Sequence, residues 1–152
     1  ISLGMQCMVV DFARNVLGIK DANSTEVNPQ TENKVIDPMA SLKDINDVEG
    51  AMRLGAYECE LAEGTKSAEA YGTTLISERH NHKNEFNNAY KEQFEKAGMK
   101  FAGINPEMGL VEIIELPEHK WYVGTQFLPE YRSSVEKPHP LFVNFIKASI
   151  QK

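Results

Sequence analysis

The 152-residue chain reads as one α/β domain with an antiparallel portion. Three stretches carry that reading. Near the start, Met5, Met8, Val9, Phe12 and Val16 recur at close to helical spacing. Between 99 and 127 three short apolar runs follow one another, parted by the turn formers Asn105-Pro106-Glu107 and Pro117-Glu118. Near the C-terminus Pro140 stands where a first helical residue would, ahead of Leu141, Phe142, Phe145, Ile146 and Ser149, which fall on one face.

Taken in order, Ile1–Gly4 predicts the end of a strand turning tightly into the first helix, and Gly18, just past Leu17, predicts its stop. Residues 20–34, rich in Asn, Asp and other polar groups, predict a loop. Short strands are expected over 35–62, with a polar interruption at 41–49. Within that span, 51–61 alternates in part as a one-sided antiparallel strand does. A short helix over 66–71, strand or extended loop over 80–87, and a helix over 88–97 closed by Gly98 come next. Strands follow at 99–104, 110–116 and 121–127. No internal repeat, low-complexity tract or long linker interrupts the pattern.

The charge balance narrows the function classes. Sixteen Lys and Arg against 22 Asp and Glu give −6, which argues against non-specific nucleic-acid binding, since that needs a basic face. No apolar run reaches the ~18–20 residues that span a bilayer, and the first residues lack the pattern of a secretory leader. Cys7 and Cys59 form no disulfide framework, which fits a cytoplasmic setting.

Ile1-Ser2-Leu3-Gly4-Met5-Gln6 running into an amphipathic helix has the form of a nucleophile elbow, a strained turn that presents a reactive side chain at a helix N-terminus. There the helix dipole and free N–H groups favour developing negative charge, and Gly4 is expected to permit the sharp turn. Further strings occur in order: Ala13–Gly18, Asp21–Glu26, Met52–Gly55, Glu78-Arg79-His80, Val111–Glu115, Gln126–Glu130 and Lys137–Phe142. Together they resemble the glutaminase (class I glutamine amidotransferase) domain of CTP synthase over essentially the whole chain.

The resemblance implies a flavodoxin-like sheet flanked by helices. It also implies a chemistry in which glutamine is hydrolysed and ammonia passes to a separate synthase domain that aminates UTP with ATP and magnesium. It places no cofactor or metal in this portion. Carried over by position, the nucleophilic Cys falls on Ser2, the catalytic His on Leu128 and its orienting carboxylate on Glu130. An oxyanion N–H falls on Leu3, with Gln6 beside it, and a glutamine-binding carboxylate on Glu26. The arginine-bearing strand that recognises the substrate carboxylate falls on Arg79–Glu85, where the family's usual Arg, Arg and Tyr are replaced by Asn81, Lys83 and Asn84.

These departures bear on the chemistry. A hydroxyl is a weaker nucleophile than a thiolate and depends on an adjacent base. Leu128 cannot accept a proton, and Lys83 keeps a positive charge but loses the two-pronged grip of arginine. Length adds a second departure: the family domain extends upstream of the elbow, so the chain is expected to be a truncated, single partial domain. It would lack upstream parallel strands and the loop that gives the second oxyanion donor, a loss of ~10²–10³ in rate. The expectation is a hydrolysis-deficient glutaminase-like domain with a binding or assembly role, through self-association or a synthase domain. The competing readings are an ammonia-donating amidotransferase silenced only by truncation or engineered substitution, and a Ser2 hydrolase whose base comes from a partner chain.

Other residues take plainer readings. His80 and His82 share a strand face and suit an inherited polar pocket edge better than a metal site, for want of further ligands. His119 and His139 are expected at the surface or in loops. Cys7 and Cys59 are expected to pack, as are Met5, Met8, Phe12, Tyr57 and Trp121. Glu112 and Glu115, three apart in a strand, should face opposite ways and form no acid–base pair.

Overall fold

The computed structural model describes residues 1–38 and 52–150; the polar interruption expected at 41–49 lies outside them. Helix α1 (Leu3–Asn15) buries Met5, Val9, Phe12 and Ala13, the stripe that the spacing of apolar residues demands. It ends as expected: Val16 N–H donates to the Phe12 carbonyl at 2.9 Å, and Gly18 takes a left-handed φ of 74°. Strand β1 (Asn23–Ser24) lies inside the stretch that reads as loop. Its two residues are too few to show a period, and it is held by tertiary bonds such as Asn23 N–H to the Asn33 carbonyl at 3.0 Å. It runs parallel to β2 (Lys34–Pro38), which pairs antiparallel with β5 (Asn84–Phe86).

The larger sheet has the order β4-β3-β6-β7-β8, from β3 (Arg53–Leu61), β4 (Leu75–His82), β6 (Lys100–Ile104), β7 (Val111–Glu115) and β8 (Val123–Thr125). Every pairing in it is antiparallel, the antiparallel portion expected. The β3–β4 register sets Arg53 opposite His82, Gly55 opposite His80 and Tyr57 opposite Glu78. Strand β4 begins at Leu75, earlier than the sequence suggests. The sheet curls: beyond β8, Leu128 N–H donates to the Arg79 carbonyl at 2.9 Å and the Arg132 guanidinium reaches the Ser77 carbonyl, so both edge strands come together.

Helix α2 (Lys66–Tyr71) falls where expected, with Thr65 Oγ1 capping the Ala68 N–H. The helix expected over 88–97 is split. A 3₁₀ turn at Asn88–Tyr90, capped by Asn87, precedes α3 (Lys91–Lys96), and Gly98 closes it at φ 98°. Helix α4 (Pro140–Ile150) starts on its proline. Leu141 is buried, but Phe145 and Ile146 of the expected apolar face are at least half exposed. An apolar groove of about 470 Å³ runs between α4, α1 and β8, lined by Met8, Trp121, Val123, Phe142 and Phe145 among others. Among the described residues no helix is long and apolar enough to cross a membrane.

Two buried clusters form the core. One gathers α1, β2, β5 and α3 around Phe12, Phe86, Phe94 and Phe101; the other joins Cys59, Ala102, Ile113, Phe127 and Leu141. Gly124 permits the close approach that seats α1 on β8. A Cβ there would stand 2.9 Å from Met8 Sδ and 3.0 Å from Ile114 Cγ1. Cys7 and His139 also depart from expectation. Cys7 is exposed, because it sits off the Met5–Val9–Phe12 stripe. His139 is buried, because the Pro-His-Pro stretch folds back onto the sheet, with Nε2 3.0 Å from Glu78 Oε1 and 3.2 Å from the Tyr71 hydroxyl.

Candidate functional site

Ser2 has φ 47° and ψ −110°, the one positive φ on a non-glycine among the described residues. Such a conformation costs ~1–3 kcal/mol and persists only where neighbours impose it. Here they do: Ser2 N–H donates to the Thr125 carbonyl of β8 at 2.6 Å, and the Ser2 carbonyl accepts from Gln6 N–H at 3.1 Å. The turn is therefore made by Ser2 and not, as the sequence suggests, by Gly4, which lies in α1 with room for a Cβ. Leu3 N–H, at the first helical position, has no intrahelical carbonyl to bond.

A pocket of about 310 Å³ opens at this turn, lined by Ser2, Leu3, Gln6, Glu26 and Lys83 together with Met52, Asn81, His82 and Asn84. Strand β5 and the β4–β5 corner supply one wall, and α1 supplies the other. Asn84 Nδ2 donates to Glu26 Oε2 at 2.6 Å, and Gln6 Nε2 reaches the Asn84 carbonyl at 3.4 Å. The buried Gln6 Oε1 and Asn84 Oδ1 have no hydrogen-bond partner. The pocket thus offers a cation at Lys83 and a carboxylate at Glu26, which suits a ligand carrying a carboxylate and an ammonium.

Leu128 and Glu130 are not in that wall. Leu128 is half-buried and heads the 3₁₀ turn Pro129–Arg132, on which Glu130 is exposed. The same strand end still carries both halves of the elbow. The Thr125 carbonyl anchors Ser2, and Thr125 Oγ1 donates to the Phe127 carbonyl at 3.1 Å, one residue before Leu128.

Behind the pocket lies a buried cluster that sequence reading missed. Arg53 donates through Nη1 to Glu85 Oε1 at 2.9 Å and through Nη2 to Glu112 Oε1 at 2.7 Å. His80 Nδ1 and His82 Nε2 are 2.8 Å apart, His82 Nδ1 is 3.2 Å from the Asn84 carbonyl, and His80 Nε2 is 3.3 Å from Glu112 Oε2. Burial first, then Arg53, pushes the His80 imidazole down to about 2 and that of His82 down to about 3. Burial pushes the Glu112 carboxyl up to about 7 and that of Glu85 up to about 8, with Arg53 opposing. The shared face of His80 and His82 was legible from their spacing; the carboxylates that meet them come from β5 and β7 and were not. Among the described residues no group of His, Cys, Asp and Glu could hold a metal. Glu115 faces elsewhere, accepting Lys66 N–H at 3.0 Å, Ser67 N–H at 2.8 Å and the Ser67 hydroxyl at 2.5 Å at the start of α2.

The family model described as Glutamine amidotransferase class-I matches residues 1–148. CTP synthase of Bacteroides fragilis is 60% identical over 152 residues, all of this chain and 28% of that protein. CTP synthase of Porphyromonas gingivalis is 56% identical over 151 residues, covering 99% of this chain and 28% of that protein. The glutaminase domain of Trypanosoma brucei CTPS with bound acivicin superposes with a TM-score of 0.92 at 31% identity, over 99% of this chain and 59% of that one. The chain therefore spans little more than a quarter of the length of the curated relatives it matches.

Proposed function

The chain belongs to the class-I glutamine amidotransferase family, and from that premise we propose that it is a CTP synthase-type glutaminase unit that binds glutamine without hydrolysing it efficiently. The observation that carries this reading is the pocket itself: Ser2, Leu3, Gln6, Glu26 and Lys83 converge on one cavity at a strained elbow. Lys83 suits the α-carboxylate of glutamine and Glu26 its ammonium. The hydrolytic step lacks a base. Proton transfer needs a group within hydrogen-bond reach of the nucleophile. Leu128 offers no such atom, and both nitrogens of His82, the imidazole in the pocket wall, are engaged with His80 and Asn84. Glu130 then has no imidazole to orient.

The role left is binding and assembly, with a synthase portion that handles UTP, ATP and magnesium, or with another copy of the chain. The apolar groove between α1, β8 and α4 supports an association role. The test has two arms. Calorimetry should register glutamine binding, and glutamate release should stay at background. Ser2→Cys with Leu128→His should then raise hydrolysis by ~10² or more. Glutamate release that vanishes in Ser2→Ala would overturn the proposal.

The second reading, an ammonia donor silenced only by substitution, is favoured by the retained strain at Ser2. It would be supported if the double reversion brought hydrolysis to the level of a full-length relative.

A further inference from the structure

We infer that Arg53 is a positioning residue for the pocket: through its bond to Glu85 it fixes the corner between the two sheets at which Lys83 stands. Glu112 anchors the same guanidinium without setting that corner. The consequence for ligand rests on the glutamine-binding reading above; the asymmetry between the two carboxylates does not.

Strand β4 ends at His82 in the larger sheet and β5 begins at Asn84 in the smaller, so Lys83 is the one residue between them. Arg53 stands opposite His82 in the β3–β4 ladder, and Glu85 follows Lys83 by two positions. The bond from Arg53 Nη1 to Glu85 Oε1 at 2.9 Å therefore spans the corner from one sheet to the other. The neighbours of that ion pair along both strands belong to the pocket. Met52 precedes Arg53, Asn84 precedes Glu85, and both line the wall with Asn81, His82 and Lys83. Arg53 and Glu85 themselves do not line it.

The two carboxylates on Arg53 differ in what else holds them. Strand β5 has three residues and lies at the edge of its sheet, paired with β2 alone. At its pocket end Asn84 stands opposite Pro38, which has no N–H to give. At its far end Phe86 is packed against Phe94 and Phe101. Glu85 Oε2 is buried without a partner, and His82 Nδ1, 3.5 Å from Oε1, serves the Asn84 carbonyl instead. Among the described residues the Arg53 bond is thus what fixes the Glu85 side chain. Glu112 lies within β7, which pairs with β6 on one side and β8 on the other, and its carbonyl accepts Gln126 N–H at 2.8 Å. The ladder holds that backbone whether or not the guanidinium is there.

The guanidinium serves as a brace because its own place is set by several contacts. Nη2 donates to Glu112 Oε1 at 2.7 Å, and the Tyr57 ring lies 4.4 Å from the guanidinium carbon. A planar fork held in this way transmits position, which a flexible ammonium does not. Without the bond to Glu85, β5 loses its tie to the larger sheet at the pocket end. Lys83 and Asn84 then lose their fixed places opposite α1, and the bond from Asn84 Nδ2 to Glu26 Oε2 at 2.6 Å loosens with them.

The experiment compares Glu85→Met with Glu112→Met in the full chain. Each variant leaves one guanidinium with one carboxylate, so the buried charge balances in both, and neither removes a residue from the pocket wall. Calorimetry should find glutamine bound about tenfold more weakly by E85M and less than about threefold more weakly by E112M. Urea unfolding reads stability separately, and the difference in affinity should not follow the midpoints. Equal losses of affinity, no loss in E85M, or a larger loss in E112M overturns the inference. Should Glu85→Met fail to fold, Glu85→Asp against Glu112→Asp carries the same expectation, because the shorter side chain keeps the charge and loses the reach. If the parent binds no glutamine, the substrate reading fails by itself, and NMR of the free proteins decides. Asn84 side-chain amide resonances displaced in E85M and not in E112M support the brace; equal displacement or none overturns it.

Discussion

Glu112 and Glu115 lie three positions apart on the same five-residue strand, both fully buried, and live in opposite circumstances. Glu115 meets two backbone N–H groups and a hydroxyl at the start of α2, where the helix dipole also favours a carboxylate. Glu112 shares its one cation with Glu85, and its second oxygen faces a histidine nitrogen. The first is a structural clasp between β7 and α2; the second is one of two buried carboxylates on a single guanidinium. Burial alone does not decide how a carboxylate behaves. The donors around it do, and those come from residues distant in sequence.

The sharpest way to break this contrast is to remove the shared cation. Arg53→Met leaves two buried carboxylates uncompensated and should cost about 3–5 kcal/mol, read as a lower midpoint in urea unfolding. Glu115→Ala comes next. It strands two N–H groups and the Ser67 hydroxyl, and about 2–3 kcal/mol should be lost without altering glutamine affinity, since Glu115 is not in the pocket wall. Gly124→Ala pushes a Cβ into Met8 and Ile114 beneath the elbow and should cost about 1–3 kcal/mol by overpacking.

The pH dependence of stability sharpens the contrast further. His80 and His82 are pushed down when folded, so as pH falls below the ordinary 6.5 the unfolded chain takes up protons that the fold refuses, and stability drops. Glu112 and Glu85 are pushed from 4.5 up to about 7 and about 8, so the fold holds protons that the unfolded chain releases, and stability drops as pH rises through those values. The two trends oppose one another between 4.5 and 6.5, where two histidines stand against two carboxyls. Stability should therefore be nearly level over that window and fall on the alkaline side by up to about 1.4 kcal/mol per pH unit per proton. Thermal melts from about pH 5 to 9 would show this. Glu112→Gln should flatten the alkaline limb, because Arg53 then faces Glu85 alone. The smallest effect belongs to the exposed pair Lys96–Glu92, where Lys96→Ala should change stability by less than about 0.5 kcal/mol.

Much of the site was legible because its residues sit in local patterns. The elbow shows in Ser2-Leu3-Gly4 running into α1, helix α2 appears in place from residues 66–71, and Pro140 opens α4. What escaped depends on distance along the chain. His139 reads as loop from its flanking prolines, and only its bond to Glu78, 61 positions away, makes it interior. The charged cluster joins residues 32 and 59 apart through Arg53, a meeting that no periodicity encodes. Cys7 looked packable as a residue type, but its place roughly half a turn from the Met5–Val9 stripe sets it in solvent.

Leu128 is held by its backbone. Its N–H is fixed to Arg79, Pro129 follows it, and the sheet's two edges close at that point. Whatever side chain stands at 128, the main chain arrives there in the same place, so the scaffold and the chemistry mounted on it can change separately. The side chain at this position is therefore open to exchange without unfolding the domain. An imidazole can be written into it without rebuilding the frame.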